Sequence, residues 1–535
     1  MSGRCSKVTP AANPAESWRE RFKKRRRSSL DGMPQIISQY NGLVKRLCLA
    51  ALLITGCGIG LAETYEVGPG KAYERIGQAP WATLAPGDTV LIHWRPEPYR
   101  EKWVICRQGA EDAPITVRGL RGPDGQFPVI DGDGALTGDG LNYWNEPRGI
   151  VKVGGANVPP DTMPRHIVIE DLEIRGARPP YRFTDRYGAL QTYADNAAAI
   201  YVEKAERLTI RNCILHDAGN GLFIGSGGGA NVTRDLVVEG NYIFDNGIDD
   251  SAYHHNSYTE ALGITFQFNR YGPPRARARG NNLKDRSAGL VVRYNWIEGG
   301  NRQLDLVDAG ARDLVASPEY RLTQVYGNVL IETPDAGNRQ IVHYGGDSES
   351  QSNYRKGTLL FYHNTVVSWR TDRTTLFRLS TNDERCDARN NVFYVSAPGR
   401  TLSVTDSSGR LEFSHNWLKP AWAVTFDQLR GAFHQDGTDI EGDEPGFRDA
   451  LLQDFGLAAG SAAIDAAGPL APDAQELRIQ YCRHQGAEER PNDGRPDLGA
   501  FEFAPSAVAA RSRTGTPVAA TSRSRGGAMI GLFRK

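Results

Sequence analysis

Two stretches of the chain, LVVEGNYI at residues 236–243 and LVVRYNWI at residues 290–297, decide the fold. Both carry apolar residues five and three positions before an asparagine, and again two positions after it. The same frame recurs eight times between residues 167 and 418, with one marker residue at the asparagine position. In chain order the markers are Leu172, Cys213, Asn241, Asn295, Asn328, Asn364, Asn391 and Asn416.

This frame predicts stacked strands. Alternating apolar residues form a strand with one buried face, and a single strand cannot bury that face alone. Copies that stack share one continuous core, and an asparagine at the bend can bond its amide to the asparagine of the next turn. We therefore predict an all-β chain folded as a parallel β-helix. The alternative is a β-sandwich, which would not keep the marker in phase over so many copies.

The spacing of the markers indicates one extra turn. Successive markers lie 41, 28, 54, 33, 36, 27 and 25 residues apart, and the longest spacing is twice the typical one. The extra turn lies between Asn241 and Asn295 and carries a long polar insertion at residues 245–287, with the strand-like segment ITFQF at 264–268. Insertions in solenoids collect on one face, which is often the binding face. We expect the chemistry of the protein at this insertion.

The composition excludes one class of function, and the N-terminus indicates export. Lys plus Arg and Asp plus Glu both number 63 among the 535 residues, so the net charge is zero, which argues against a nucleic-acid binder. Residues 1–62 are predicted to be a disordered extension and a signal peptide, with an apolar run at 47–54 and a small-residue cleavage site at 60–62. A lipoprotein box ending at Cys57 is the competing interpretation. Either way, we expect a secreted, periplasmic or cell-surface monomer with no transmembrane helix in the mature chain.

The rest of the chain divides into four parts. Residues 63–160 consist of short strands broken by Gly and Pro turns, and we predict that they form an N-terminal cap and the first turns. Residues 161–420 are predicted to be the regular body, and residues 421–503 the C-terminal turns and cap. Residues 504–535, rich in Ala, Ser, Arg and Thr, are predicted to be a disordered tail.

Four short segments carry a family resemblance. They are GPG at 68–70, PGDTV at 86–90, AID at 463–465 and DLGAFE at 497–502. Together with the asparagine-marked repeats, they resemble secreted bacterial right-handed parallel β-helix proteins of the pectate-lyase superfamily. The resemblance implies a right-handed coil with irregular caps at both ends. It also implies a link to polysaccharides, since the superfamily contains polysaccharide lyases, hydrolases, epimerases and some non-catalytic members.

Lys284 and Arg286 are the first candidates for catalytic groups. In alginate and chondroitin lyases of the β-helix type, a lysine in a Lys-Ser-x-x-Asn-like stretch acts as the base and an arginine on the next strand as the acid. The sequence KDRS at 284–287 resembles the first part of that stretch, so the resemblance implies that Lys284 or Arg286 is the base. Asp305 occupies the strand where the arginine is expected, and Arg302 is the nearest substitute.

Two other interpretations stay open. In one, His254 or His255 is the base and Tyr258 is the acid, because imidazole and phenol groups can both transfer protons. In the other, Lys284 and Arg286 form ordinary ion pairs with neighbouring aspartates and have no catalytic role. The two catalytic interpretations place the reaction at the insertion.

Outward-facing side chains on successive turns are expected to line a groove. Stacked turns rise roughly 4.8 Å each, and alternation points Asp305 outward between two leucines. The substrate-binding candidates are Gln267, Arg275, Arg277, Arg279, His343 and Arg378. The carboxylates that could hold Ca²⁺, a common neutraliser of sugar carboxylates, are Asp245, Asp249, Asp250, Glu260, Asp305 and Asp308. The alternative for these acids is turn formation without a metal.

We therefore expect an exported enzyme that acts on an acidic, uronate-containing polysaccharide. Cleavage by β-elimination needs a group that neutralises the sugar carboxylate, a base for the neighbouring C–H proton and an acid for the leaving oxygen. Basic, imidazole, phenol and carboxylate groups all occur at the insertion. One alternative is a glycoside hydrolase that uses Asp305 and Asp308. The other is a non-catalytic surface protein that binds glycans.

Overall fold

The computed structural model describes residues 62–504, which wind into a right-handed parallel β-helix. Each regular turn of the coil contributes one strand to each of three long sheets, which enclose a single apolar core. The described residues form 13, 11 and 13 strands in sheets 1, 2 and 3, respectively. The fold class predicted from the asparagine frame is therefore confirmed.

Sheet 1 begins with the first strand of the described chain, so regular coiling already starts within residues 63–160. With strands numbered in chain order, sheet 1 contains β1 (Thr64–Val67), β2 (Thr89–His93), β4 (Ile115–Leu120), β10 (Arg165–Glu170), β15 (Glu206–Arg211), β18 (Arg234–Glu239), β21 (Leu262–Gln267), β24 (Ala288–Arg293), β27 (Leu322–Tyr326), β30 (Thr358–Tyr362), β33 (Arg385–Arg389), β36 (Arg410–Ser414) and β38 (Ala432–Gln435).

Sheet 2 follows sheet 1 around each turn and has the shortest strands. It contains β5 (Val129–Asp131), β11 (Glu173–Ala177), β16 (Ile214–Ala218), β19 (Tyr242–Ile243), β22 (Arg270–Tyr271), β25 (Trp296–Glu298), β28 (Val329–Glu332), β31 (Thr365–Ser368), β34 (Val392–Val395), β37 (Trp417–Leu418) and β39 (Ile440–Glu441).

Sheet 3 completes each turn and is parallel apart from its first pair of strands. In order across the sheet it contains β13 (Leu190–Thr192), β12 (Arg182–Thr184), β6 (Ala135–Thr137), β3 (Glu101–Ile105), β8 (Gly149–Val153), β14 (Ala198–Val202), β17 (Asn220–Ile224), β20 (Ser257–Thr259), β23 (Leu283–Asp285), β26 (Leu304–Leu306), β29 (Gln340–Tyr344), β32 (Thr374–Leu379) and β35 (Leu402–Thr405).

Short elements decorate the coil. Antiparallel pairs are β7 (Asn142–Tyr143) with β9 (Ala156–Val158), β40 (Phe447–Asp449) with β41 (Asp454–Leu457), and β42 (Ile479–Cys482) with β43 (Gly486–Glu489). The helix α1 (Arg312–Ala316) and the 3-10 turns Ile76–Gln78, Glu146–Arg148, Gly229–Asn231, Pro318–Arg321 and Gln351–Asn353 lie in the loops.

A ladder of buried asparagines holds the bend between sheets 1 and 2. Each side-chain Nδ2 donates to the Oδ1 of the residue one turn further on, over 2.9–3.2 Å. The ladder pairs buried amides that would otherwise be left without partners. Its members are Asn241, Asn269, Asn295, Asn328, Asn364, Asn391 and Asn416, and it ends on Asp439.

Asn269 is the marker of the extra turn, and it corrects the extent of the predicted insertion. The frame residues Ile264, Phe266 and Tyr271 are all buried. Strand β21 pairs in register with β18 and β24, so the segment ITFQF is a regular strand of sheet 1. The polar insertion is therefore confined to two loops between sheets 2 and 3, at residues 244–256 and 272–282.

The C-terminal segment covers the side of the coil as well as its end. Strands β38 and β39 extend sheets 1 and 2, and the chain after them folds back along the outer face of sheet 2. There it buries Trp296 and Trp417, and Gln485 Nε2 donates to the carbonyl of Gly240 over 2.7 Å. The predicted C-terminal cap is thus a lateral cover, because the outer face of sheet 2 is apolar and needs one.

Some sequence predictions concern residues outside the described range. These are the signal peptide, its cleavage site, the lipidation of Cys57 and nearly all of the C-terminal tail. Within residues 62–504, no helix has the length and apolar character needed to cross a bilayer.

Candidate active site

The outer face of sheet 3 carries one column of functional side chains. The register of β20, β23, β26, β29 and β32 stacks Tyr258, Lys284, Asp305, His343 and Arg378 above one another. The residues on either side of each are buried, because alternate residues of a strand point into the core. Five coils thus align five side chains on the outer face of sheet 3, at intervals of about 4.8 Å. Lys284, Asp305 and His343 are buried within this column.

Lys284 lies at the centre of an ion-pair network. Its Nζ is 2.6 Å from Asp305 Oδ2 and 2.5 Å from Asp347 Oδ2. Only 9% of the Lys284 side chain is exposed, against 34% for Asp347, so solvent reaches this pair from the Asp347 side. Burial acts to raise the pKa of Asp347, but the charge of Lys284 and its hydrogen bond outweigh burial, and the pKa is lowered. Two ionised carboxylates therefore hold the ammonium group of Lys284.

Asp305 joins Lys284 to a histidine. His343 Nδ1 donates to Asp305 Oδ1 over 2.8 Å, and Asn281 Nδ2 donates to Asp305 Oδ2 over 2.8 Å. Burial acts to raise the pKa of Asp305, but the His343 hydrogen bond and the Lys284 charge hold it well below its usual range. Burial lowers the pKa of His343, and its Nε2 lies 2.9 Å from Ser380 Oγ.

Arg286 connects the network to Tyr258. Its Nε donates to the Tyr258 hydroxyl over 2.9 Å, and its Nη2 donates to Asp347 Oδ1 over 2.8 Å. A third contact joins Nη1 to Asp308 Oδ1 at 3.5 Å. Burial alone would lower the pKa of Arg286, but Tyr258 and Asp347 raise it above its usual value. A permanently charged guanidinium group thus touches the phenolic oxygen.

Two further arginines lie at the other end of the column. Arg302 Nη1 is 3.9 Å from Asp305 Oδ1, and Arg302 Nη2 donates to Gln340 Oε1 over 2.8 Å. Burial lowers the pKa of Arg302, although Asp305 opposes the shift. Arg378 is exposed one coil above His343. Asp406 also belongs to the network, because its Oδ2 accepts Gln340 Nε2 over 3.0 Å. Lys284, Arg286, Arg302 and Arg378 therefore face four carboxylates, those of Asp305, Asp308, Asp347 and Asp406.

The two histidines of the insertion are separated by the structure. His255 is buried beside Tyr258, with the ring centroids 5.6 Å apart, and its Nδ1 accepts the backbone N–H of Asn281 over 2.9 Å. Burial, aided by the charge of Lys284, lowers the pKa of His255 to about 3. His254 instead contacts Ser251 Oγ through Nδ1 over 2.8 Å on loop 244–256. Only His255 therefore reaches the edge of the column.

Most of the other predicted residues lie away from the column. The arginines and acids of the insertion pair with one another or with Asp217: Arg275 with Asp217 (2.6 Å) and Asp245 (3.7 Å), Arg277 with Asp249 (3.9 Å) and Asp250, and Arg279 with Asp250 (3.6 Å). Gln267 lies on β21 of sheet 1, where it contacts Glu239 and Arg293. It is thus on a different sheet from Lys284 and cannot share a groove with it.

The six carboxylates proposed as Ca²⁺ ligands do not fit one metal centre. Three of them pair with arginines of the insertion, and Glu260 accepts the N–H groups of Gly310 (2.8 Å) and Ala311 (2.7 Å). Asp305 and Asp308 are bonded to the cations of the column. Among residues 62–504, no three His, Cys, Asp or Glu side chains converge on a point where a metal could sit. A calcium requirement therefore stays an untested prediction without a ligand set.

Sequence reasoning missed four members of the network: Asn281, Gln340, Asp347 and Ser380. Asp347 and Ser380 follow strands β29 and β32 in loops, so no strand periodicity marks them. Asn281 and Gln340 precede or begin their strands. Each lies three residues before its column member, Lys284 or His343, and this odd spacing is why alternation along a strand does not point to them.

Comparisons with known proteins show no family for this chain. No protein-family model matches the chain, and no curated protein matches it. Among solved structures, an alginate lyase from Paenibacillus sp. str. FPU-7 aligns with 66% of this chain and 99% of its own, at 12% identity and a TM-score of 0.42. Pectate lyase Pel9A aligns over 84% and 98%, at 13% identity and a TM-score of 0.44. A GH136 lacto-N-biosidase from Eubacterium ramulus aligns over 71% and 68%, at 12% and 0.39.

Proposed function

We propose that the chain is an exported lyase that cleaves an acidic, uronate-containing polysaccharide by β-elimination at the sheet 3 column. The observation that carries the proposal is the stacking of Tyr258, Lys284, Asp305, His343 and Arg378 in one groove. We take the outer face along this column as the substrate groove, because a coil spacing of about 4.8 Å suits an extended chain and the arginines along it suit carboxylates. Arg302 and Arg378 are the groups that would neutralise the carboxylate of the reacting sugar.

The contacts in the absence of substrate favour different roles for two proton-transfer groups that lie one coil apart. Lys284 is held as an ammonium ion by two carboxylates, which makes it the proton donor for the leaving oxygen. Tyr258 receives a charge-assisted hydrogen bond from Arg286 on the oxygen that would carry negative charge, which makes it the acceptor of the C–H proton. His255 is neutral and its Nδ1 already accepts a backbone N–H, so it does not serve as the base.

A hydrolase is the weaker alternative on this geometry. Its mechanism needs a carboxylic acid that stays protonated and gives its proton to the leaving oxygen. Asp305 and Asp347 both have lowered pKa values and are therefore ionised. Asp308 is occupied by the N–H groups of Asp347 (2.8 Å) and Ser348 (3.3 Å), which it accepts.

The test is cleavage of a panel of alginate, pectate and glycosaminoglycans, with and without Ca²⁺, followed by the ultraviolet absorbance of unsaturated ends. Lys284→Met and Tyr258→Phe should each lower kcat at least 100-fold on the polysaccharide that is cleaved. Lys71→Met and Tyr65→Phe, in the turn after β1 and on β1 itself, are the matched controls away from the groove. New reducing ends without unsaturation would indicate the hydrolase, and affinity without turnover would indicate a glycan-binding protein.

A further inference from the structure

The column of sheet 3 continues below Tyr258 as a row of aromatic rings. The register places Phe223 one coil and Tyr201 two coils below Tyr258. The rings of Tyr201 and Phe223 are 5.4 Å apart, and those of Phe223 and Tyr258 are 5.3 Å apart. The groove floor therefore has a charged half and an aromatic half on one continuous line.

Arg148 lies over the aromatic half. Its guanidinium carbon is 4.8 Å from the ring centroid of Tyr201 and 4.7 Å from that of Phe223. The residue is half-buried, and its Nε and Nη2 atoms are buried without a hydrogen-bond acceptor anywhere in residues 62–504. A buried charged donor without an acceptor is unfavourable, so this guanidinium group has an unmet requirement for an anion.

Glu203 does not meet that requirement. It is bound by Lys152 Nζ over 2.8 Å and by Asn145 Nδ2 over 3.3 Å. Its charge is therefore balanced by a different cation. A carboxylate of a bound ligand would match the planar guanidinium group of Arg148.

We propose that Arg148, supported by Tyr201 and Phe223, forms a distal subsite that binds the carboxylate of a uronate in the polysaccharide. Arg148 would bind the carboxylate, while the rings of Tyr201 and Phe223 against which it packs hold its guanidinium group in place. Phe223 and Tyr201 lie two and three coils below Lys284, roughly 10 and 14 Å along the axis. The subsite is thus about two to three sugar units from the reacting one. The inference takes its ligand class from the proposed function.

Chain-length kinetics test the subsite. Arg148→Met should raise KM about ten-fold or more on tetramers and longer oligosaccharides of the cleaved polymer, because a charge-assisted hydrogen bond is lost. It should leave kcat unchanged and have no effect on the shortest oligosaccharide that is cleaved. Arg207→Met is the control, since Arg207 forms an exposed pair with Glu111 elsewhere on the coil. Equal KM values for the two variants on long substrates would overturn the subsite.

Direct binding separates the failure of the subsite from the failure of the enzyme. Calorimetry with hexamers of galacturonate, guluronate and mannuronate, and with neutral cellohexaose, needs no turnover. Wild-type protein should bind at least one acidic hexamer more tightly than Arg148→Met does, and neither should prefer cellohexaose. Such a result without cleavage would refute the lyase and keep the subsite. Identical affinities, or no binding by either protein, would refute the subsite even if cleavage is observed.

Discussion

The substitution His255→Asn is expected to change how the protein takes up protons when it unfolds. His255 is buried at the edge of the candidate site, and its Nδ1 accepts the N–H of Asn281 over 2.9 Å. An asparagine Oδ1 can accept the same N–H, so the variant should keep the local fold. What it loses is a group whose protonation differs between the folded and unfolded states.

The magnitude follows from two pKa values. Burial and the Lys284 charge lower the pKa of His255 to about 3 in the folded protein, whereas an unfolded histidine has a pKa of about 6.5. Between those values the unfolded chain binds the proton and the folded chain does not, so stability falls as the pH falls below 6.5. At pH 5 the difference of about 1.5 pH units corresponds to about 2 kcal/mol.

The assay is proton uptake on urea-induced unfolding, followed in a weakly buffered solution with a pH-stat. At pH 5 the wild-type protein should take up about one proton more than His255→Asn, and at pH 8 the two should agree. His434→Asn, which removes a solvent-exposed ring, controls for the loss of one imidazole. Equal uptake by wild-type protein and His255→Asn at pH 5 would show that His255 is protonated in the folded state. The assignment of His255 as a neutral neighbour of Tyr258 would then fall.

Two further predictions concern buried polar groups. The Asn328 side chain accepts one backbone N–H and donates to one backbone carbonyl of the neighbouring turn. Asn328→Ala leaves both groups without a partner, so the free energy of unfolding should fall by about 2–6 kcal/mol. Urea unfolding measures this loss, and the exposed control Asn157→Ala should lose less than about 1 kcal/mol. Equal losses in the two variants would contradict the role of the ladder. Arg355→Met removes the fully buried partner of Asp285 (3.2 Å) and should destabilise by about 3–5 kcal/mol. It should also lower kcat at temperatures where the variant stays folded, because Arg355 anchors loop 345–357; unchanged kcat would contradict that link.

The coil could be predicted from sequence because every bend of the asparagine ladder has the same local requirement. Each bend needs an amide that both donates and accepts along the axis, and few residues other than asparagine supply both. The copy at Asn269 escaped because Tyr271 stands where most copies have an aliphatic residue. The lateral course of the C-terminal segment was not predictable in the same way. It depends on the outer face of sheet 2 being apolar. In the sequence, such an outer face has the same apolar pattern as a face that is buried in the core.

The candidate site could be predicted only where it follows the strands. The outward facing of Asp305 follows from alternation, and the column from Tyr258 to Arg378 follows from the register of the coils. Asp347 could not be found, because it reaches Lys284 from a loop whose course depends on Arg355. The acids of the insertion looked like metal ligands because their arginine partners lie some 25–30 residues further on.

A second ladder explains how the groove tolerates insertions without losing its register. Asn246 Nδ2 donates to Asn256 Oδ1 over 2.9 Å, and Asn256 donates in turn to Asn282, two residues before Lys284. Loops 244–256 and 272–282 differ in length, yet each re-enters sheet 3 from an asparagine of this ladder. The floor of the groove is therefore fixed by the backbone, whereas its walls are loops that can change length. In such a site the reaction depends on the floor and the choice of polysaccharide on the walls, so changes in loops 244–256 and 272–282 should alter specificity before they alter chemistry.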